Sequence, residues 1–205
     1  MSVQRFTTYF VFASEAELPA MLNFEIYEGF AFQTNLLTFR MECTLGENQA
    51  QAHYDPQTHL CLLRLPADFS FKDRRSQLWL QKVVREVLRG MAKRIILPRL
   101  ATFAKQYGYT YRRVFIKDLS SRWGSCSEHG NINLNLWLLL LPSQFVDYVL
   151  KHELAHLRHL DHSPQFWQEV DRMTGGPGTA KALSKAKNNY LRKQVQPLFM
   201  GAQAS

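Results

Sequence analysis

The stretch KHELAHLRHLDHS, residues 151–163, places four histidines and one glutamate within thirteen positions. His152, Glu153 and His156 form the pattern H-E-x-x-H. On a helix, positions i and i+4 share one face a turn apart. Two imidazoles so placed can both reach one zinc ion at about 2.0–2.1 Å. Glu153 is rotated about 100° from His152. That puts its carboxylate beside such a metal, where it can take a proton from a zinc-bound water as a general base. A zinc ion that does chemistry takes about three protein ligands and keeps one position open. The candidates for the third are His159, Asp161, His162 and Glu169. His159 shares the helical face but lies about 10 Å along the axis from His152. Two nitrogens on one tetrahedral zinc are only about 3.3 Å apart. The third ligand must therefore come from chain that has turned back. Ser163-Pro164 reads as a helix start, with Ser as cap and Pro in the first turn. The chain then reverses around Leu160-Asp161, and His162 sits at that reversal. His162 is favoured over Asp161 and Glu169, and His159 is left to support the ligands from behind or to face solvent.

These side chains need elements to hold them. Pro142-Ser143 reads as the start of the histidine-bearing helix, with Ser143 as its N-cap. Phe145, Val149, His152 and His156 share one side of it. Before it, NINLNLWL (131–138) alternates polar and apolar residues and reads as a strand with one open face. SSRWGSCSEHG (120–130) reads as a loop and YRRVFIKDL (111–119) as a further strand. TGGPGT (174–179) reads as a turn, followed by a short basic helix over 180–194. From Asp73 the apolar spacing is helical: Leu80, Val83, Val84, Val87, Leu88, Met91 and Ile95 fall on one face. Arg75, Lys82, Arg85, Arg89 and Lys93 fall on the other. Pro98 is expected to break or kink this helix, with a second segment running to Tyr107 and Gly108 as its stop. Residues 1–70 are β-rich: FTTYFVF, FAFQTNLLTFRMECTL, AQAHY and HLCLLRL, divided by turn residues, suggest a small antiparallel sheet.

Composition narrows the class. Of 205 residues, 46% are hydrophobic and 20% charged, which is too apolar for a disordered chain. No apolar run approaches the roughly 20 residues that cross a bilayer, so no membrane partner is expected. The run after Arg5 leads into the acidic SEAEL and reads as a strand rather than a secretion signal. Three scattered cysteines, Cys43, Cys61 and Cys126, make no disulfide framework and point to a reducing cytoplasm. The net charge of +8 is uneven: residues 1–70 carry 3 basic and 8 acidic side chains, residues 71–99 carry 9 and 2, and residues 171–205 carry 6 and 1. Such a basic stripe suits a solvated helix face, or nucleic-acid contact through Arg85 and Arg89.

Arg122-Trp123-Gly124-Ser125-Cys126, the Leu-rich run ending at Pro142, His152-Glu153-Leu154-Ala155-His156, and His162-Ser163 followed by Phe166-Trp167 together resemble the YgjP-like zinc metallopeptidases. These are minimal zincins, related more distantly to the SprT-like and WLM proteases. The resemblance covers about a quarter of the chain. It implies an α+β fold with a zincin-like core, built of a small mixed sheet and active-site helices. It implies zinc held by His152, His156 and His162, with Glu153 as catalytic base and a peptide or protein as substrate. It also implies that the 131–138 strand borders the cleft and can pair with an extended peptide. Metzincins share the histidine spacing but place Gly where this chain has His159, which argues against that group. The expected organisation is a β-rich part over 1–70 and a metallopeptidase domain over 71–205. Trp123 and Trp167 are expected to pack near the site, and Cys126 to be a small buried thiol. Arg122 is a candidate to polarise the scissile carbonyl, or to tie its loop through an ion pair. His129 is a candidate oxyanion donor. Two other readings remain: a nucleic-acid-associated zinc protein, and a zinc hydrolase of a non-peptide bond.

Overall fold

The computed structural model describes residues 26–45, 49–119 and 122–196. The expected strand FTTYFVF lies outside them. The first four described strands are β1 (Ala31–Gln33), β2 (Thr38–Thr44), β3 (Gln51–Asp55) and β4 (Leu60–Pro66), in the order β1-β2-β4-β3. Each hairpin is antiparallel, but β2 runs parallel to β4, with Phe39 opposite Cys61. The sheet is thus mixed and not purely antiparallel as expected. Turn residues encode pairing between sequence neighbours, and β2 and β4 are not neighbours. Their inward residues Phe39, Cys61, Leu63 and Leu65 are fully buried, so burial of one face decides the register.

Helix α1 spans Arg74–Tyr107 and carries Pro98 in its interior. Asp73 caps it, accepting from the Ser76 N–H at 2.7 Å, and Gly108 ends it in the left-handed region at φ 71°. The expected break at Pro98 does not occur. Ile96 and Leu100 on either side are fully buried. That packing, with Arg99 clasping Asp147 (Nη2 to Oδ2 2.8 Å), offsets the roughly 3 kcal/mol that an interior proline costs. The basic face is also less open than its spacing implies. Arg85 and Arg89 are half-buried, and both act electrostatically on Asp118.

The second sheet holds β5 (Arg113–Lys117), β6 (Gly124–Cys126) and β7 (Asn131–Asn135) in the order β5-β7-β6. β7 is parallel to β5 and antiparallel to β6. Ile132 and Leu134 point into the core, as the alternation requires. The strand stops at Asn135, sooner than expected, and a 3-10 turn follows over Leu136–Leu140. Asn135 makes the stop. Its side chain accepts from the Trp137 N–H at 3.3 Å and donates to the carbonyls of Leu119 and Arg122 at 2.9 and 3.0 Å. The expectation that this strand pairs with a peptide also fails. β7 has a partner on both sides, and among the described residues β6 is an edge strand of this sheet.

Three helices complete the α+β fold: α2 (Ser143–Ala155), α3 (Pro164–Thr174) and α4 (Thr179–Tyr190). Ser143 is the first helical residue of α2 and not its cap. Asn35, in the β1–β2 turn, takes the Ser143 N–H on Oδ1 at 2.8 Å and donates Nδ2 to the Ser143 hydroxyl at 2.7 Å. The Thr34 hydroxyl reaches the Leu139 carbonyl at 3.3 Å. The first sheet therefore braces the start of the histidine helix. Buried side chains of both sheets, α1 and α2 form one contiguous core. Among the described residues, no helix is long and apolar enough to cross a membrane.

Candidate metal centre and cleft

α2 delivers His152 and His156, four residues apart, on one face. The helix ends at Ala155, and the chain bends at Leu160 and Asp161, where the reversal is expected. The N–H groups of Leu157, Arg158 and His159 close back on the carbonyls of Leu154 and Ala155, at 3.0 Å each. This turn and the bend after it bring His162 back to His152. Ser163 then caps α3, accepting from the Phe166 N–H at 3.4 Å, with Pro164 in the first turn. The Nε2 atoms of His156 and His162 each lie 3.2 Å from Nε2 of His152, and all three lie within 4.8 Å of one another. Two nitrogens bound to one tetrahedral zinc are about 3.3 Å apart, so the spacing fits such an ion.

The surroundings fix these rings. The His159 carbonyl lies 3.0 Å from Nδ1 of His156. A proton on Nδ1 satisfies that carbonyl and leaves Nε2 as a lone pair aimed at the centre. His159 thus contributes its backbone oxygen and not its ring. Fully buried Phe166 packs against all three imidazoles, with ring centroids 4.8, 4.4 and 4.8 Å from His152, His156 and His162. Trp167 stacks on His162 at 5.7 Å. Burial, the neighbouring imidazoles and the charge of Lys187 pull the His152 pKa down to about 2. His152 is therefore neutral at physiological pH, the form a metal requires.

Glu153 is 4% exposed and lines the cleft with His152. Its carboxyl group occupies the space where Gly124 lacks a side chain. A Cβ at Gly124 would stand 2.6 Å from Oε1 of Glu153. The glycine of RWGSC is therefore a requirement of space, because β6 and α2 approach with the carboxylate between them. Cys126 is on the same strand, and burial and the Glu153 charge push its thiol up to about 11. It remains a protonated thiol at neutral pH, poorly suited to act as nucleophile or metal ligand.

The cleft has a volume of about 110 Å³. Arg122 is exposed on its lining and makes no ion pair among the described residues. His129 stands outside the cleft lining, exposed beside Glu128. Glu169 is engaged elsewhere. It accepts from the guanidinium groups of Arg172 (2.8 and 3.0 Å) and Arg158 and from the Tyr109 hydroxyl, which hold its pKa down at about 2. Asp161 bonds the Ser163 N–H at 3.3 Å. Arg85 and Arg89 are on α1 and do not line the cleft. One wall escaped the sequence reading. Ser184, Lys187 and Asn188 of α4 line the cleft opposite β6, at the i, i+3, i+4 spacing of one helical face. That spacing was visible, but the segment reads only as a short basic helix.

The model of the YgjP-like family, metallopeptidase domain, matches residues 39–186. The chain belongs to the YgjP-like family. As a YgjP-like protein it carries a metallopeptidase domain, and it is a hydrolase of the peptidase class. No curated protein matches it. Among solved structures, the metallopeptidase zymogen of Pyrococcus abyssi abylysin is 30% identical, covering 47% of this chain and 95% of that one with a TM-score of 0.43.

Proposed function

We propose that this YgjP-like protein is a zinc-dependent peptidase, with His152, His156 and His162 as the ligands and Glu153 as the general base. One observation carries the reading: three imidazole Nε2 atoms converge within 4.8 Å beside a buried carboxylate in an open cleft. Zinc held there would supply Lewis acidity and make a nearby water far more acidic. Phe166 and the His159 carbonyl keep the ligand rings in place before any metal arrives. Glu153, seated against Gly124, takes the proton of the attacking water and returns one to the leaving amine. β6, an edge strand among the described residues whose Gly124 abuts this carboxylate, suits an extended peptide that pairs through its backbone. Three unpaired cysteines, one of them exposed, favour a reducing compartment, the cytoplasm.

The test is zinc-loaded protein incubated with a casein digest and followed by mass spectrometry, with Glu153→Gln as the control. We expect cleavage by the wild type and loss of about 10²–10⁴-fold in rate in the variant, at unchanged zinc content. Turnover retained in Glu153→Gln refutes the base assignment. A wild type that leaves every peptide intact refutes the peptidase reading.

A further inference from the structure

Lys187 is 7% exposed, yet it lines the same cleft as His152 and Glu153. Lysine is almost never buried to this degree unless it meets compensating charge or polarity. Its Nζ stands 5.9 Å from the ring of Trp123 and 5.7 Å from that of Tyr148, which hold the ammonium by cation–π attraction. The Tyr148 ring is in turn 5.9 Å from that of His152. Asn188, next along the same wall, has a buried Oδ1 with no hydrogen-bond partner among the described residues. A buried acceptor without a donor is costly. A cleft lined by a cation and by a residue whose buried acceptor lacks a donor matches the carbonyl and N–H of a peptide backbone.

We propose that this face of α4 is the substrate wall: the Lys187 ammonium receives the carbonyl oxygen of the bond under attack, and Asn188 Oδ1 accepts a substrate N–H. The proposal rests on the peptidase reading above. As the water oxygen bonds to the carbonyl carbon, the water's proton passes to Glu153 and the carbonyl π pair moves onto oxygen. Negative charge then develops where Lys187 donates, and the Lys187 proton stays on Nζ. When the carbon–nitrogen bond breaks, its electron pair leaves on nitrogen, which takes the proton from Glu153, and the carbonyl re-forms. Lys187 thus acts on charge that exists only during the reaction, which is where a donor lowers the barrier most.

The experiment compares wild type, Lys187→Met, Lys187→Arg and Asn188→Ala, metal-free and zinc-loaded. Inorganic phosphate is the tetrahedral oxyanion probe, titrated by calorimetry, and the casein digest is the substrate. We expect Lys187→Met to keep its zinc but to bind phosphate about tenfold more weakly or worse, with Lys187→Arg restoring most of the affinity. Its kcat should fall about 10²-fold with little change in KM, as for loss of an oxyanion donor. Asn188→Ala should instead raise KM. Phosphate affinity unchanged in Lys187→Met overturns the proposal. So does zinc lost equally from both Lys187 variants, since that makes Lys187 structural. Phosphate binding that depends on Lys187, in a protein that cleaves no peptide, refutes the peptidase reading and leaves the anion wall standing.

Discussion

Gly124→Ala separates the base from the metal ligands. An alanine Cβ would stand 2.6 Å from Oε1 of Glu153 and 2.7 Å from its Cδ and Cγ. Comfortable contact begins near about 3.5 Å, so the carboxylate must move by roughly 1 Å. Gly124 is not among the residues with positive φ, so the backbone itself accepts alanine. On chain entropy alone the change would stabilise the fold by about 0.4–1 kcal/mol, so any harm is steric. A misplacement of about 1 Å at a catalytic group costs on the order of 10²-fold in rate. The three histidines do not contact Gly124 in this way, so zinc should stay near one per chain. The assay pairs metal analysis with initial rates on the casein digest. We expect full zinc and a rate about 10²-fold lower. A variant with full zinc and a wild-type rate would show that the carboxylate need not occupy this place, and the base assignment would fall with it.

Arg158→Ala removes one of the cations on Glu169 and the contact to the Gly108 carbonyl, loosening the turn between His156 and His162. Zinc affinity, measured by competition with a chelator, should fall about 10–100-fold, and an unchanged affinity would refute that support. The Glu169 carboxyl has its pKa lowered by Arg172, Tyr109 and Arg158, so its contribution to stability is complete above about pH 4.5 and is lost as pH falls toward about 2. The difference in melting temperature between wild type and Glu169→Gln should therefore shrink from pH 7 to pH 3, and a difference that grows on acidification contradicts the assignment. Asn35→Ala should destabilise the fold by about 1 kcal/mol in denaturant melts, the usual worth of a helix-end hydrogen bond. No loss would show that α2 does not depend on the first sheet for its start.

What the sequence made legible is what local chemistry encodes. The H-E-x-x-H spacing, the Ser163-Pro164 start and the stop at Gly108 each act over a turn or two of chain, and the helices bearing them form as their spacing implies. The bend at Leu160 and Asp161 falls where the residue types place it, but the turn just before it was less legible. Its hydrogen bonds close on the carbonyls of Leu154 and Ala155, and nothing in the residue types marks that choice. Contacts between distant segments left no trace. Asn35 meets Ser143, Gly124 meets Glu153, and Lys187 meets Trp123 and Tyr148 only once the chain has folded. The parallel pairing of β2 with β4 and the unbroken course of α1 through Pro98 are also set by burial, which overrides local preference. Gly124 lay within a motif and Lys187 within a basic helix read for other reasons, so their placement in the cleft emerged from geometry alone.

Zinc-edge X-ray absorption on protein loaded with one zinc per chain tests the central claim most directly. The account predicts three imidazole nitrogens and one oxygen at about 2.0–2.1 Å, falling to two imidazoles in His162→Ala. A sulfur at about 2.3 Å, or a wild-type spectrum that His162→Ala leaves unchanged, would contradict it.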